Sequence, residues 1–168
     1  MKMKLRVCDD NDKNIVAPMI VELMNYHRRL TKSPQEYWCT IEEGEKSFDS
    51  WLKEGRIYLI VNNGDYIGFF YLEFGGNNAA WLEDLFILEK YRRKGLGRKA
   101  MNILDDIMIK ENITALFVDV IPRNIDGIEF YREMGFDHLN MIELRKNYDL
   151  RLNKEEEVEI LGYDFKKY

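Results

Sequence analysis

The sequence predicts a mixed α/β fold: a mostly antiparallel sheet flanked by helices, with a parallel strand pair at its centre. Residues 79–88 form the expected central strand, because both of its alternating faces are apolar, as in a strand covered on both sides. Residues 57–74 precede it as two strands joined at Asn63-Gly64, a typical hairpin turn. An amphipathic helix then leads to the apolar strand 115–120, and such a crossover makes these two strands parallel.

The chain before these strands is predicted to form one strand and two helical regions. Residues 3–8 alternate in a way that indicates a strand. Residues 16–30 repeat apolar side chains every three or four positions, the spacing of an amphipathic helix. Residues 34–54 carry a similar stripe that is interrupted near Gly44, so we expect two short helices there, with Gly55 as the C-terminal cap.

The chain after strand 115–120 is predicted to add one helix and two strands. Asn124 is expected to cap a helix that ends at Gly135. Strand 141–146 should follow, and residues 158–165 fit a last strand. We see no repeat or interdomain linker, so residues 1–168 are interpreted as a single domain.

Composition and charge argue against several classes of protein. No apolar run approaches the length of a membrane span and no secretory signal is visible, so we expect a cytoplasmic protein. Cys8 and Cys39 match no metal or redox spacing, and no metal is expected. The formal net charge of -5 argues against general nucleic-acid binding and permits a cationic substrate. The sequence does not fix the oligomeric state, and a homodimer stays open.

The central strand is followed by a basic stretch with two glycines, residues 92–97, that opens a helix. The first N–H groups of a helix lack internal partners and that end is partly positive, so this arrangement favours a phosphate group. Gly95 and Gly97 would let the backbone approach closely. A Walker loop needs Ser or Thr after its Lys, whereas Lys99 precedes Ala100, and the dinucleotide fingerprint needs a third glycine. A solvated basic helix start is the alternative.

The spacing of Arg92, Gly95 and Gly97 directly after such a strand resembles the acetyl-coenzyme A signature of the GNAT family of N-acetyltransferases. A second block agrees with the family in order and spacing: a strand, an Asn that opens a helix, then a Tyr and a Gly-Phe pair. Its residues are Val118-Asp119-Val120, Asn124, Phe130-Tyr131 and Gly135-Phe136. The resemblance implies an acyltransferase with acetyl-CoA as cosubstrate.

The resemblance also implies where coenzyme A binds. It would lie in a gap where strands 79–88 and 115–120 splay apart. Backbone groups of Leu85 and Ile87 would pair with the pantetheine arm, and Asn124 would contact the arm as well as cap its helix. The pyrophosphate would be held by the loop and the first helical turn, at Arg92, Arg93, Lys94, Gly95, Leu96, Gly97 and Arg98.

Two acidic residues, Glu83 and Asp84, interrupt the apolar central strand, where an unpaired carboxylate is costly. By resemblance, Glu83 falls where polyamine-type GNAT enzymes carry the acid that takes a proton from the amine. Desolvation would raise its pKa from about 4.3 towards a useful value. Strand alternation sends Asp84 to the other face, unless a bulge turns both the same way, and Asp84 is then a contact for the amine. A structural pair bonded to a helix is the alternative.

Tyr131 lies two helical turns after Asn124, so both point from nearly the same face. The resemblance assigns to Tyr131 the proton donor for the departing thiolate, and packing within the apolar stripe is the alternative. Three further residues are candidates for the acceptor side. His27 lies on the apolar stripe of the first helix, and burial by packing is the alternative there. Tyr37 and Trp38 lie in an acidic stretch that borders the acceptor site in this family, and a solvated acidic face is the alternative.

We therefore predict an N-acetyltransferase that transfers an acetyl group from acetyl-CoA to a primary amine of a small cationic acceptor, by direct attack in a ternary complex. An aminoglycoside or a protein N-terminus is the alternative acceptor. A non-catalytic acetyl-CoA-binding regulator and a nucleotide-binding module are the alternatives outside this class. Glu83 and Tyr131 speak against the first, and the missing Walker pair speaks against the second.

Overall fold

The structure is a computed structural model that describes residues 3–168. Its helices and strands alternate along the chain, as expected for a mixed α/β fold. In chain order they are β1 (Lys4–Val7), α1 (Lys13–Leu30), α2 (Ile41–Glu54), β2 (Arg56–Asn62), β3 (Asp65–Gly75), β4 (Ala79–Ile87), α3 (Leu96–Lys110), β5 (Ala115–Val118), α4 (Ile125–Glu133), β6 (Glu157–Ile160) and β7 (Tyr163–Lys166).

The first five strands form one sheet in the order β1-β2-β3-β4-β5. All neighbours are antiparallel except β4 and β5, which are parallel because α3 carries the chain back between them. The turn at Asn63-Gly64 has positive φ at both residues, as a tight hairpin of this kind requires. The mixed, mostly antiparallel sheet with one parallel strand pair is thus confirmed, and in the described sheet this pair, β4 and β5, lies at one edge.

Helices cover the sheet on both faces, and each face has its own apolar core. Side chains of α1 and α2 pack on one face against β-strand residues that include Phe69, Tyr71 and Phe86. Side chains of α3 pack on the other face against a second set that includes Phe70 and Leu82. Burial on both faces explains the continuous apolar pattern of the central strands.

The predicted break at Gly44 is wrong, because α2 runs through it without interruption. The helix begins at a capping box in which Thr40 and Glu43 each accept from the other's backbone N–H. A Cβ on Gly44 would lie only 2.6 Å from a methyl carbon of Val21 and 2.9 Å from the carbonyl oxygen of Ala17. Gly44 therefore lets α2 approach α1 closely, and the earlier helical piece is only a short 3-10 turn over Gln35–Tyr37.

The C-terminal prediction needs two corrections. No strand forms over residues 141–146, and residues 138–148 donate no backbone hydrogen bond to another backbone group within the described chain. The expected last strand is instead a hairpin of β6 and β7, turned at Leu161-Gly162, where both residues have positive φ. The sequence pattern could not foresee this, because an extended segment becomes a strand only when a neighbour offers it an edge.

Candidate active site

The parallel strands separate beyond their first four residues. Ala79–Leu82 of β4 pair with β5, which ends at Val118, while β4 continues alone to Ile87 on that side. Backbone groups of the second half of β4 that point away from β3 therefore face a gap rather than a strand. This confirms the splayed pair and places Leu85 and Ile87 along one wall of the gap.

The loop after β4 is tied back to the strand by Arg92. Its Nε donates to the carbonyl oxygen of Ile87 at 2.6 Å, and its guanidinium lies over the rings of Tyr26 and Phe86, at 5.6 and 5.3 Å from their centroids. Arg92 is thus turned into the protein and fixes the shape of the loop. The Ile87 carbonyl, expected to face a pantetheine arm, already accepts this bond.

The loop itself presents a row of unpartnered backbone donors. Arg93 and Gly95 both have left-handed backbone, with φ of 57° and 71°, and Gly95 precedes α3 without any side-chain cap. The N–H groups of residues 93–98 donate to no backbone acceptor outside regular helices and strands in residues 3–168. Successive N–H groups at the positive end of a helix form a concave anion site, so the loop can hold a pyrophosphate.

Three basic side chains of this loop have partners, two on α4 and one in the loop itself. Arg98 forms an ion pair with Glu133, and Arg93 lies 3.6 Å from Asp126 in a highly exposed pair. Lys94 Nζ donates to the carbonyl oxygen of Lys90 at 2.8 Å. Exposed pairs of this kind contribute little energy.

Helix α4 is fastened at its start by Asn124. The Asn124 Oδ1 accepts from the N–H of Gly127 at 3.1 Å, and a Cβ on Gly127 would lie 2.4 Å from Asn124 Nδ2. A side chain at position 127 would therefore displace the cap. The Nδ2 of Asn124 donates to no protein group in the described residues, which leaves it free for a ligand.

A bulge in β4 settles which way the two carboxylates point. Tyr71 pairs with Asp84 and Leu72 pairs with Leu82, so Glu83 is an extra residue with no partner on β3. Cross-strand partners share a face, and Tyr71 belongs to the core under α1 and α2. The bulge therefore turns the side chain of Asp84 to the same face of β4 as that of Glu83. Strand alternation alone would have placed the two on opposite faces.

Glu83 is exposed and stands in a group of acids that we call the acidic rim. The rim consists of Glu83, of Glu73 and Asp119, whose charges act on Glu83, and of Glu54, whose charge acts with those of Glu73 and Glu83 on Tyr71. Partial burial raises the pKa of Glu83, and the nearby charges of Glu73 and Asp119 raise it further. The Tyr71 hydroxyl donates to Glu73 at 2.6 Å, and Trp51 stacks on the Tyr71 ring with centroids 4.4 Å apart. The pKa of Tyr71 is raised by burial, by Glu73, and by the charges of Glu54 and Glu83.

Sequence reasoning missed the other members of the acidic rim. Glu73 could have been found, because it follows Phe69 and Tyr71 on the same alternating face of a predicted strand. Glu54 and Asp119 carry no such signal, because they lie just beyond Trp51 and Val118 at the ends of separate elements. Only the fold brings them together.

Asp84 and Tyr131 form the buried part of the site. Burial raises the pKa of Asp84 to about 7, and the charge of Glu83 contributes. Tyr131 is half-buried between Phe130 and Phe136, whose rings lie 5.3 and 5.5 Å away edge-on. Burial raises the pKa of Tyr131, and the neighbouring charge of Asp84 raises it further. Neither side chain has a hydrogen-bond partner among residues 3–168.

The other acceptor-side candidates are His27, in the last turns of α1, and Tyr37 and Trp38, on the chain between α1 and α2. His27 is half-buried, and burial together with the charge of Arg28 lowers its pKa. The Tyr37 hydroxyl donates to Asp149 at 3.1 Å, and the Trp38 indole N–H donates to the carbonyl oxygen of Ser33 at 3.3 Å. The structure gives none of these three a hydrogen bond or ring contact with Glu83, Asp84 or Tyr131.

Two features are absent from the part of the chain that the structure describes. No group of three or more His, Cys, Asp or Glu side chains is placed to hold a metal ion there. None of its helices combines the length and the apolar character needed to cross a membrane.

Comparisons with known proteins agree with this geometry. The chain is 25% identical over 124 residues to an L-ornithine N5-acetyltransferase of Arabidopsis thaliana, covering 63% of this chain and 54% of that protein. It is 31% identical over 95 residues to a spermine/spermidine N(1)-acetyltransferase of Bacillus subtilis, covering 50% of this chain and 62% of that protein. The chain thus spans between about half and two thirds of the length of these relatives.

The fold is shared with solved structures at lower identity. One is the PaiA N-acetyltransferase of Thermoplasma acidophilum in complex with coenzyme A, with a TM-score of 0.67 at 20% identity, covering 80% of this chain and 89% of that chain. The model of the acetyltransferase (GNAT) family matches residues 23–136, from the second half of α1 to just beyond α4. The chain therefore belongs to the GNAT family of acetyltransferases, acyltransferases that use acetyl-CoA as cosubstrate.

Proposed function

We propose that this protein transfers the acetyl group of acetyl-CoA to a primary amine of a small acceptor that carries at least one further positive charge. The acidic rim is the observation that carries this proposal. Among the described residues none of its four carboxylates, Glu54, Glu73, Glu83 and Asp119, forms an ion pair with Lys, Arg or His. Concentrated, uncompensated negative charge beside a cleft attracts a cation and orients it.

The cofactor side of the proposal rests on the gap and the loop. The pyrophosphate is bound by the N–H groups of residues 93–98, which lack backbone partners. The pantetheine arm runs along β4 past Leu85, where the strand has no neighbour on the side of β5. The free Nδ2 of Asn124 donates to the arm, and the thioester then lies between β4 and α4, near Asp84 and Tyr131.

The chemistry of the site is direct attack by a neutral amine on the thioester carbonyl. The carboxylates of Glu83 and Asp84 face the same side of β4, and Glu83, the exposed member, meets the incoming amine and takes its proton through water. The raised pKa of Glu83 makes it a better base than an ordinary carboxylate. The raised pKa of Tyr131 keeps its phenol protonated at neutral pH, so it can donate to the thiolate as the C–S bond breaks.

Two named relatives support an acceptor with more than one positive charge. Ornithine and the polyamines spermine and spermidine each carry a reacting amine and at least one further cationic nitrogen, and they are the substrates that the relatives' names give. In this chain the reacting nitrogen would lie at Glu83 and Asp84. The distal nitrogen would lie against Glu73, Asp119 or Glu54.

Thiol release from acetyl-CoA with matched amines tests the proposal. Putrescine and n-butylamine share a four-carbon chain and differ in one terminal ammonium group. We expect kcat/KM to favour putrescine by at least about tenfold, since tenfold corresponds to 1.4 kcal/mol, the scale of one charge-assisted hydrogen bond. Spermidine, ornithine, an aminoglycoside and an Ala-starting peptide complete the panel.

Two results would contradict the proposal. Equal rates with putrescine and butylamine would show that the acidic rim does not select a second charge. A preference for the aminoglycoside or the peptide over every small diamine would show that one of these alternative acceptors is the better substrate. Acetyl-CoA should in any case raise the melting temperature, because at a hundred times Kd a ligand of the native state adds about 2.7 kcal/mol.

A further inference from the structure

Trp81 and Phe117 form an aromatic pair that belongs to neither apolar core of the described chain. They are partners on β4 and β5, and their rings stack with centroids 5.0 Å apart and 24° between their planes. Both side chains are half-buried, so part of each ring stays accessible. We call this pair the aromatic platform. Apolar surface that is left outside the core beside a reaction site is a candidate contact for a ligand.

The register of the sheet places the aromatic platform on the same face as the proposed reaction centre. Trp81 pairs with Glu73 on β3, and cross-strand partners share a face. Glu83 follows Trp81 by two residues, so it projects from that face about 7 Å further along the strand. Asp119 follows Phe117 by two residues, just beyond the end of β5, and its charge acts on Glu83. The acidic rim therefore borders the platform.

The position of the Trp81 indole depends on a glycine. A Cβ at Gly75 would lie 2.6 Å from Cζ3 and 3.1 Å from Cη2 of Trp81. The backbone of Gly75 is extended, which any residue adopts, so it is the space above it that demands a glycine. The indole thus lies between the bare backbone of Gly75 on one side and the ring of Phe117 on the other.

We propose that the aromatic platform binds the methylene chain of the acceptor, which makes the substrate a linear aliphatic diamine or polyamine. The reacting amine lies at Glu83, and the methylene chain crosses the indole of Trp81. The next cationic nitrogen lies between that indole and the carboxylate of Glu73. This inference rests on the proposed function, because it concerns the acceptor of the same acetyl transfer.

The chemistry of such a chain matches both the platform and the acidic rim. Methylene groups gain free energy when they leave water for an apolar surface, and an ammonium group is attracted to the face of an indole. The carboxylate of Glu73 adds a second attraction for that ammonium group. An extended chain of four methylene groups, with bonds of about 1.5 Å, covers a length similar to the step from Glu83 to Trp81.

An amino acid such as ornithine fits this surface less well, because it carries an α-carboxylate as well as two amines. In the described chain the charges that act on Glu83 are those of Glu73 and Asp119. The charge that acts on Asp84 is that of Glu83. A substrate carboxylate placed here would leave water without gaining a cation, and it would be repelled by the rim. The site therefore favours diamines that have no carboxylate.

Kinetics of the native protein at saturating acetyl-CoA test the substrate class. Putrescine and ornithine differ only in the α-carboxylate, so the comparison isolates that group. We expect kcat/KM for putrescine to exceed that for ornithine by at least about tenfold, the effect of one unpaired charge. A preference for ornithine would overturn the substrate class. The proposed function would then stand, because ornithine also carries a second positive charge.

Trp81→Leu and Phe74→Leu are matched variants that test the platform. Phe74 follows Glu73 on β3 and therefore projects from the opposite face. There it pairs with Ala80, and its ring centroid lies 4.7 Å from the Arg56 guanidinium. We expect Trp81→Leu to raise KM for putrescine at least about fivefold with kcat within about twofold, because the chain is bound equally before and during the reaction. Phe74→Leu should leave both constants within about twofold.

Two further readouts separate contact with the ligand from loss of structure. Gly75→Ala keeps the indole but displaces it, so KM for putrescine should rise here too, while a melting curve shows that the variant is folded. The chain has three tryptophans, and putrescine titrated into the protein with coenzyme A should change their fluorescence. Trp81→Phe keeps an aromatic ring, so it should bind putrescine within about threefold of the native protein and lose most of that change.

Two outcomes overturn the platform while the proposed function stands. One is an unchanged KM for putrescine in Trp81→Leu, and the other is an undiminished fluorescence response in Trp81→Phe. If Trp81→Leu shows no cooperative melting, the fluorescence response of Trp81→Phe decides. Failure of the native protein to release thiol with any amine is a separate result, and it overturns the proposed function itself.

Discussion

Asn124 has one observed role, as a helix cap, and one proposed role, as a contact for acetyl-CoA, and a pair of substitutions can separate them. Its Oδ1 caps α4 and its Nδ2 is free in the described structure. Asn124→Ala should lower the free energy of unfolding by about 1 kcal/mol, the usual value of an N-cap, and should also weaken acetyl-CoA binding. Denaturant unfolding and calorimetric titration measure the two effects.

Asn124→Asp is the matched control for this prediction. A carboxylate caps a helix as well as an amide does, and it also suits the positive end of the helix dipole. It should keep native stability and still lose acetyl-CoA affinity, because it has no N–H to donate. Native affinity in Asn124→Asp would show that Asn124 is a cap and nothing else.

At the residue scale, most candidates could be chosen from the sequence, but their surroundings could not. The order Glu83-Asp84 in an apolar strand and the spacing from Asn124 to Tyr131 are visible without a structure. The bulge that puts Glu83 and Asp84 on one face depends on how β3 and β4 pair, and no local pattern encodes it. The inward turn of Arg92 likewise depends on distant rings.

At the scale of elements, the shape of the loop between β4 and α3 depends on Arg92, whose side chain is turned into the protein. Arg92→Met removes the bond to the Ile87 carbonyl and the contacts with Tyr26 and Phe86. We expect the free energy of unfolding to fall by about 2 kcal/mol, the range of a hydrogen bond from a charged donor. Acetyl-CoA should bind at least about tenfold more weakly, because the N–H groups are no longer held in place.

Arg93→Met is the comparison for this prediction. Arg93 is highly exposed and adjoins Arg92 in the same loop, so its loss should change stability by less than about 0.5 kcal/mol. If Arg93→Met weakened acetyl-CoA binding more than Arg92→Met does, direct charge attraction would outweigh loop shape. Titrations at two salt concentrations would then confirm an electrostatic origin.

Elements were predicted well wherever their own pattern decides the outcome. The central strands and α1, α3 and α4 follow from apolar periodicity and caps. The helix α2 was misread at Gly44, because a glycine that breaks a pattern can equally serve a close helix contact. Residues 141–146 were misread because strand formation needs a partner, which the described structure does not give them.

At the scale of the whole molecule, Asp84, a carboxylate that is largely removed from water and has no hydrogen-bond partner in the described residues, should cost stability. The pKa of Asp84 is raised in the folded protein to about 7, so the folded state binds this proton more tightly than the unfolded chain. The stability that this provides is present at pH values below the ordinary pKa of Asp, and it is lost as pH rises towards 7. At pH 8 the native protein holds an ionised, unpartnered carboxylate out of water.

Asp84→Asn should therefore stabilise the fold while it impairs turnover. At pH 8 we expect its melting temperature to exceed that of the native protein by at least about 2–4 °C, the shift that 1 kcal/mol produces in a domain of this size. At pH 4 the melting curves of the native protein and of Asp84→Asn should coincide, because the folded protein then carries a neutral side chain at position 84 in both. Glu83→Gln, at an exposed position, should give a smaller difference, and equal melting at pH 8 would argue against strain at Asp84.

The separation of β4 from β5 also has a consequence for exchange of backbone hydrogens with deuterated water. Strands at the centre of a sheet ordinarily exchange last, since only global unfolding exposes their amides. In β4, every other N–H beyond Leu82 faces the gap instead of a neighbouring strand. This stretch should exchange early in the free protein, although Phe86 beside it is buried. Acetyl-CoA should slow exchange in this stretch, whereas the exchange rates of β2 and β3 should be the same with and without acetyl-CoA.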